Sequence, residues 1–324
     1  MNDMLPLRKL GQSALSVSAI GLGTWQFSKK NGFAGKYWDF ISDEEILKIV
    51  QTSLEGGINW LDTAELYGKG ESEKAIARAL KTLGKKPGDV IIATKWWPIF
   101  RFASNLENSI GERLKALDGY PIDLYQIHMP YSFSNLSDEM RAMGRLVKQG
   151  KIRYAGVSNY SAKQMERAYI ELSQYGIKLI SNQVHYNLMN RKIETNGILS
   201  KAKELGISII AYSPLAQGVL TGKFHDNPEL LKNVGMRKNR SFFKSGSLLK
   251  SKPLIEVLRS LGQKYSVTPG QVALNWLVTF SGDTVVAIPG ASKLSQAQDN
   301  LGCLHFRLNT DELRQIDTAS IIYK

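Results

Sequence analysis

Short apolar runs alternate along most of the chain with amphipathic stretches of helical spacing. Residues 19–22, 58–61, 90–93, 124–127, 154–157, 179–184, 207–211 and 285–288 read as eight strands. Between them, polar residues mark helix starts. Ser42-Asp43-Glu44-Glu45 has the form of a capping box, followed by Ile46, Ile49, Val50 and Leu54 at helical spacing. A helix is expected over about 71–80, and Ser104-Asn105-Leu106-Glu107 reads as the cap of the next. Another starts at Ser137, with Asp138 and Glu139 in its first turn, where the helix dipole favours them. Ser161-Ala162-Lys163-Gln164 is a further capping box, and residues 198–205 form the helix after the sixth strand. Ahead of the repeat, residues 7–17 alternate around Gly11-Gln12-Ser13, the pattern of a hairpin. After the seventh strand the spacing breaks into a long loop from Leu215 to about Lys250. Two helices follow, the second opened by Thr268-Pro269-Gly270-Gln271 with proline at its first position. A helix from Ser292 follows the eighth strand, and a last one over about 311–319 lies outside the repeat.

Eight strand–helix units with continuously apolar strands predict an α/β fold, a (β/α)8 TIM barrel with an N-terminal β-hairpin and extra C-terminal helices. One barrel domain would account for residues 1–324. A doubly wound sheet would usually carry Gly-x-Gly-x-x-Gly after its first strand. Here Gly21-Leu22-Gly23 runs into Thr24-Trp25-Gln26, and the third glycine is missing.

Composition narrows the class. Hydrophobic residues make up 43% and charged residues 22%, as in ordinary globular proteins. No apolar run is long enough to span a bilayer, and the first residues lack a signal-peptide pattern, so a cytoplasmic protein is expected, without membrane contact. One cysteine, Cys303, excludes an internal disulfide, and four histidines without ligand spacing predict no metal site. The net charge of +13 is spread along the chain, densest at Arg237-Lys238-Asn239-Arg240 with Lys244 beyond. Without interleaved aromatics or a recognition-helix pattern, it points to an anionic cofactor or a solvated surface rather than to nucleic acid. The pattern does not fix an oligomeric state.

The polar residues at the strand exits change the picture more. Asp62 and Tyr67 follow the second strand, Lys95 the third, His128 the fourth, Ser158 and Asn159 the fifth, Gln183 the sixth, Tyr212 and Ser213 the seventh. In a barrel these exits converge on one mouth. A phenol with its ordinary pKa of about 10 is a weak acid. An ammonium beside it, here Lys95 paired with Asp62, would lower that value and make Tyr67 a proton donor, with His128 orienting a carbonyl. Ser158, Asn159 and Gln183 match the hydrogen-bonding groups of a carboxamide, and Tyr212 offers a stacking face. The set suits reduction of a carbonyl by hydride from a bound cofactor.

At this point the chain resembles the aldo/keto reductase superfamily over about 7–317. The motifs that carry the resemblance are Gly21-Leu22-Gly23-Thr24-Trp25, Asp62-Thr63-Ala64-Glu65-Leu66-Tyr67-Gly68, Ala93-Thr94-Lys95, Ile127-His128, Gly156-Val157-Ser158-Asn159, Asn182-Gln183-Val184, Tyr212-Ser213-Pro214-Leu215 and Ile288-Pro289-Gly290-Ala291. The resemblance implies a tetrad of Asp62, Tyr67, Lys95 and His128, with Tyr67 as general acid. It also implies NADPH/NADP+ across the barrel mouth, its nicotinamide stacked on Tyr212 and held by Ser158, Asn159 and Gln183. Ser213, Leu215, Gln217, Gly218 and Lys223 would line the pyrophosphate. Gly290, Ser292, Lys293, Gln296 and Asn300 take the adenosine-phosphate positions, where free helix-start amides favour an anion. Many members have Lys-Ser after the proline and an arginine six residues on; this chain has Gly290-Ala291 and Gln296. It looks like the branch with Pro-Gly-Ala-Ser, which leaves Lys293 for a 2′-phosphate.

Trp25, Trp96 and Trp97 are expected to wall a pocket for a small carbonyl substrate, with Phe100, Phe102, Tyr131 and Phe133 on neighbouring loops. The long loop after strand seven is placed to close over the cofactor. An alternative function is a regulatory subunit that senses NADPH and turns over slowly. Potassium-channel β subunits resemble this family in that way, but carry Asn at the position of His128, so the histidine argues for an enzyme.

Overall fold

The computed structural model describes residues 4–32, 36–235 and 243–324. Strand β1 (Arg8–Lys9) pairs antiparallel with β2 (Ser16–Val17) to make the expected hairpin. The main sheet holds eight parallel strands: β3 (Leu22–Gly23), β4 (Trp60–Asp62), β5 (Ile91–Trp96), β6 (Leu124–Ile127), β7 (Tyr154–Ser158), β8 (Leu179–His185), β9 (Ser208–Tyr212) and β10 (Val285–Ala287). Each is bonded to its neighbours in chain order. Parallel bridges from Ile20 to Ala287 and from Gly23 to Gly290 join the first strand region to the last. Gly21 N donates to the Ala287 carbonyl at 2.8 Å, and Gly23 N to that of Pro289 at 3.0 Å.

The helices are α1 (Asp43–Glu55), α2 (Glu71–Thr82), α3 (Ser104–Ala116), α4 (Leu136–Lys148), α5 (Ala162–Ser173), α6 (Ile198–Leu205), α7 (Lys223–Asp226), α8 (Ser245–Tyr265), α9 (Pro269–Thr279), α10 (Leu294–Leu301) and α11 (Thr310–Ala319). Helix α9 opens on Pro269 as expected and adds a capping box from Thr268 and Gln271, and the capping box expected for α5 forms. The one expected at Ser104 does not. Helix α3 starts from Ala103, whose amide is held by Ser134 Oγ at 2.9 Å, and Glu107 pairs instead with Arg145 on α4. The stretch after β9 is less of a loop than expected, since its described residues include two 3₁₀ segments and α7 before α8 begins. The basic run Arg237-Lys238-Asn239-Arg240, in the part of the loop expected to close over the cofactor, lies outside the described residues. Among the described residues, no helix is long and apolar enough to cross a membrane.

Strand alternation sorts the core into two layers. Trp60, Ala93, Leu124, Ile180, Ile210 and Val286 fill the lumen, together with Leu10, Leu15 and Val17 from the hairpin, which plugs one end. The alternate residues, among them Leu61, Ile92, Tyr125 and Ile209, pack outward under the helices. At the other end of the lumen the inward positions turn polar.

Candidate active site

That polar layer follows from the same alternation. Asp62 is two residues beyond Trp60, Lys95 two beyond Ala93, and Gln126 two beyond Leu124, so each faces the lumen one step above its apolar plug. Lys95 Nζ donates to Asp62 Oδ1 at 2.5 Å and to the Thr63 carbonyl at 2.8 Å, with both ionic side chains fully buried. Asp62 Oδ2 accepts from Gln183 Nε2 at 2.8 Å and from Gln126 Nε2 at 3.4 Å. Further hydrogen bonds of this kind are what make a buried ion pair tolerable. Gln126 was not among the residues expected from sequence. Its signal is an amide in the middle of the apolar run Leu124-Tyr125-Gln126-Ile127, at an inward position.

Tyr67 lies half-buried above this pair, with Lys95 Nζ 5.1 Å from its ring centroid. Its loop is fixed by Gly68, whose φ is +68° and where a Cβ would meet the Ser28 carbonyl at 2.4 Å. The His128 ring meets the Tyr67 ring edge-on at 5.9 Å, and Trp97 packs edge-on against His128 at 5.4 Å. Trp25 stacks on Tyr67 from another side, at 5.9 Å and 19°.

The electrostatics differ from the sequence reading, which expects Lys95 to lower the Tyr67 pKa. Burial pushes the phenol well above its ordinary value, and the Asp62 carboxylate pushes the same way. The ammonium is matched by Asp62, so it does not act as an isolated charge on the phenol. Burial also lowers the Lys95 pKa, against the pull of Asp62. For His128, burial first and Lys95 second push the imidazole well below its usual value, so it is neutral at physiological pH. Its Nδ1 is buried without a hydrogen-bond partner among the described residues.

Behind the pair lies a second buried ionic cluster that the sequence reading missed. Glu65 accepts from Arg101 Nη1 at 2.6 Å, from Arg113 Nη1 at 3.0 Å and from the Trp97 amide at 2.6 Å. Arg113 Nε also contacts Glu73 at 3.3 Å, and Glu73 accepts from Thr94 Oγ1 at 2.6 Å. Burial, partly offset by Arg113, pushes the Glu73 carboxyl up to about 7. The cluster ties the loop that carries Tyr67 to the loop that carries Trp97.

A cavity of about 960 Å³ opens over Asp62, Tyr67 and His128 and runs across the mouth. Ser158, Asn159, Gln183 and Tyr212 line its floor; Ser213, Leu215, Gln217, Gly218 and Lys223 line one wall; Gly290, Ser292, Lys293, Gln296 and Asn300 line the far end. The floor is already knitted together. Ser158 Oγ donates to the Gln183 carbonyl at 2.9 Å, Tyr212 Oη to Asn159 Oδ1 at 2.9 Å, and Asn159 Nδ2 to the His128 carbonyl at 3.1 Å. The His185 ring stacks on Tyr212 at 5.3 Å and 10°. Ala216, Gln217 and Gly218 all have positive φ, a backbone form that builds anion-binding concavities.

Trp25 lines the cavity, whereas Trp96 does not. Strand β5 runs on through Trp96 rather than ending at residue 93, so with Lys95 facing the lumen Trp96 must face the helices. It is fully buried there, donating from Nε1 to Asn105 Oδ1 at 2.9 Å. Trp97 touches His128 but stands outside the cavity lining.

Residues 19–321 match the aldo/keto reductase family. The chain belongs to that family. An uncharacterized oxidoreductase of Mycobacterium bovis is 34% identical over 311 residues, covering 95% of this chain and 91% of the relative. The chloroplastic pyridoxal reductase of Arabidopsis thaliana is 30% identical over 329 residues, covering 97% and 86%. Among solved structures, the glycerol dehydrogenase of Gluconobacter oxydans superposes with a TM-score of 0.84 at 27% identity, covering 98% of this chain and 95% of that one. As an aldo/keto reductase, the chain is an oxidoreductase of carbonyl chemistry, and its barrel is the fold of its structural neighbours.

Proposed function

We propose that this aldo/keto reductase, acting as one barrel domain over residues 1–324 in the cytoplasm, reduces small aldehydes or ketones with NADPH, and that Tyr67 is the general acid. The observation that carries the reading is geometric: Tyr67 and His128 meet edge-on at 5.9 Å on the cavity floor, over the buried Lys95–Asp62 pair, in surroundings that favour a protonated phenol and a neutral imidazole. A carbonyl oxygen placed between Tyr67 Oη and His128 meets two neutral polar groups and no fixed anion. When bound, the reduced nicotinamide supplies the hydride. As negative charge grows on the oxygen, Tyr67 gives up its proton to it, and the phenolate left behind lies over the Lys95–Asp62 ion pair, whose ammonium is 5.1 Å from the ring centroid. Asp62 keeps Lys95 charged and in place, and His128 holds the oxygen.

The cavity fits the proposed cofactor because it joins a carboxamide-matching floor to an end that carries Lys293. Ser158, Asn159 and Gln183 would hold the amide, Tyr212 would stack, the left-handed turn at residues 216–218 would take the pyrophosphate, and Lys293 would meet a 2′-phosphate. The aromatic surface of Trp25 beside Tyr67, with Trp97 packed behind His128, suits aromatic or apolar aldehydes. Pyridoxal, named in one relative, is of that class.

The test follows NADPH and NADH oxidation with an activated aromatic aldehyde, for wild type and Tyr67→Phe side by side. The mutant should bind NADPH as wild type does and turn over slower by about a hundredfold or more. Full activity in it would remove Tyr67 from the acid role. Binding of NADPH with no oxidation by the wild type would favour a regulatory subunit.

A further inference from the structure

Ser292, Lys293 and Ser295, around the start of α10, line both the end of the cavity and an adjoining groove that also holds Leu294 and Glu45, and the amides of this segment are the donors expected to meet a 2′-phosphate. Two of them already serve this chain. Ser292 N donates to Gln296 Oε1 at 2.8 Å, and Leu294 N donates to Glu45 Oε1 at 2.7 Å. Glu45 is the third residue of α1, where a capping-box carboxylate turns back to its own helix start. Ser42 does make its half of that box, accepting from the Glu45 amide at 3.2 Å. The carboxylate leaves the box unfinished and crosses to α10. It is half-buried in a groove between the two helix starts, lined also by Phe40, Lys293 and Ser295.

We propose that Glu45 is a specificity-determining residue at the adenosine end, lowering the chain's preference for NADP(H) over NAD(H). The inference rests on the nicotinamide-nucleotide reading given above. One amide cannot serve two anions. A 2′-phosphate arriving at α10 either displaces the Glu45 carboxylate or binds beside it against like charge. The ribose 2′-hydroxyl of NAD(H) carries no charge and can donate to that carboxylate. Lys293 pulls the other way, so the two side chains set the balance between the nucleotides.

The experiment is equilibrium binding of NADP+ and of NAD+, read by tryptophan fluorescence, since Trp25 and Trp38 line the cavity. Wild type, Glu45→Gln, Glu45→Ala and Lys293→Ala are compared. Glutamine keeps a neutral acceptor for Leu294 N. In Glu45→Gln the NADP+ to NAD+ affinity ratio should rise by about fivefold, through tighter NADP+. High salt should shrink that gain. Lys293→Ala should move the ratio the opposite way. A ratio within about twofold of wild type in both Glu45 variants overturns the inference and leaves the cofactor reading standing. Equal loss of both affinities would mean that Glu45 only braces the helix, and overturns it too. A wild type that binds neither nucleotide removes the cofactor reading, and this inference with it.

Discussion

A phenol in this setting holds its proton throughout the physiological range, and a histidine in this setting stays without one. Both follow from burial next to an ion pair that is satisfied internally. For reduction, the expected pH profile has no step from His128 between about pH 6 and 8, and an alkaline limb no lower than the ordinary phenol value of about 10. A pH series of kcat/KM checks this, and a histidine-like transition near neutrality that vanishes in His128→Gln would contradict it. The same shift has a sign for stability. Below the unfolded value of about 6.5 the unfolded chain takes up a proton that folded His128 resists, so its contribution falls as pH drops. His128 stands out in the sequence because it ends an apolar run, as Asp62 and Lys95 do, and Tyr67 because it follows Asp62 by five residues on a loop closed by glycine. Trp96 was misread for a related reason: an aromatic next to Lys95 looks like a loop residue until the strand is known to continue, and then alternation sends it to the opposite side. Glu45 was legible as a cap residue but not as a partner of Leu294, because hydrogen-bonding pattern within a helix says nothing about a helix that far along the chain.

Among the elements, the buried cluster on Glu65 matters most for holding the site in shape. It joins the β4 loop, the β5 loop and α3 through one carboxylate that accepts three hydrogen bonds. Glu65→Ala should leave Arg113 with only part of its charge compensation and the Trp97 amide with none, costing about 3 kcal/mol. Denaturant midpoints would measure this, and a change below about 0.5 kcal/mol would mean that solvent reaches the cluster. The strands and most helices could be read from periodicity, since each buries one face. The cluster could not. Arg101 and Arg113 carry no pattern that distinguishes a buried guanidinium from a solvated one, and their partner is the residue three after Asp62 in a motif that drew attention for other reasons. The cap of α3 was misplaced because a tertiary contact from Ser134, not the local Ser104, sets where that helix begins.

On the scale of the whole molecule, the site depends on the ring being closed. Gly23 of β3 and Gly290 after β10 both line the cavity, and they are bridged to each other at the seam of the ring. A Cβ on Gly23 would stand 2.8 Å from the Ile288 carbonyl, so Gly23→Ala must push that seam apart. The variant is expected to melt a few degrees lower, for a loss of about 1–3 kcal/mol, and to bind both nucleotides more weakly. An unchanged melting temperature would show that the seam gives way freely. The closed barrel was legible as eight repeats, whereas the residues of its seam were not, because two short bridges leave no periodic trace. The hairpin that plugs the far end brings a constraint on biosynthesis. Arg8 donates to the carbonyls of Val278 and Val285, and the Gly11 amide to Ser208 Oγ. The hairpin therefore finds these partners only after residues 208, 278 and 285, about 200 to 280 positions further along the chain, have been made, and until then the base of the growing barrel stays open.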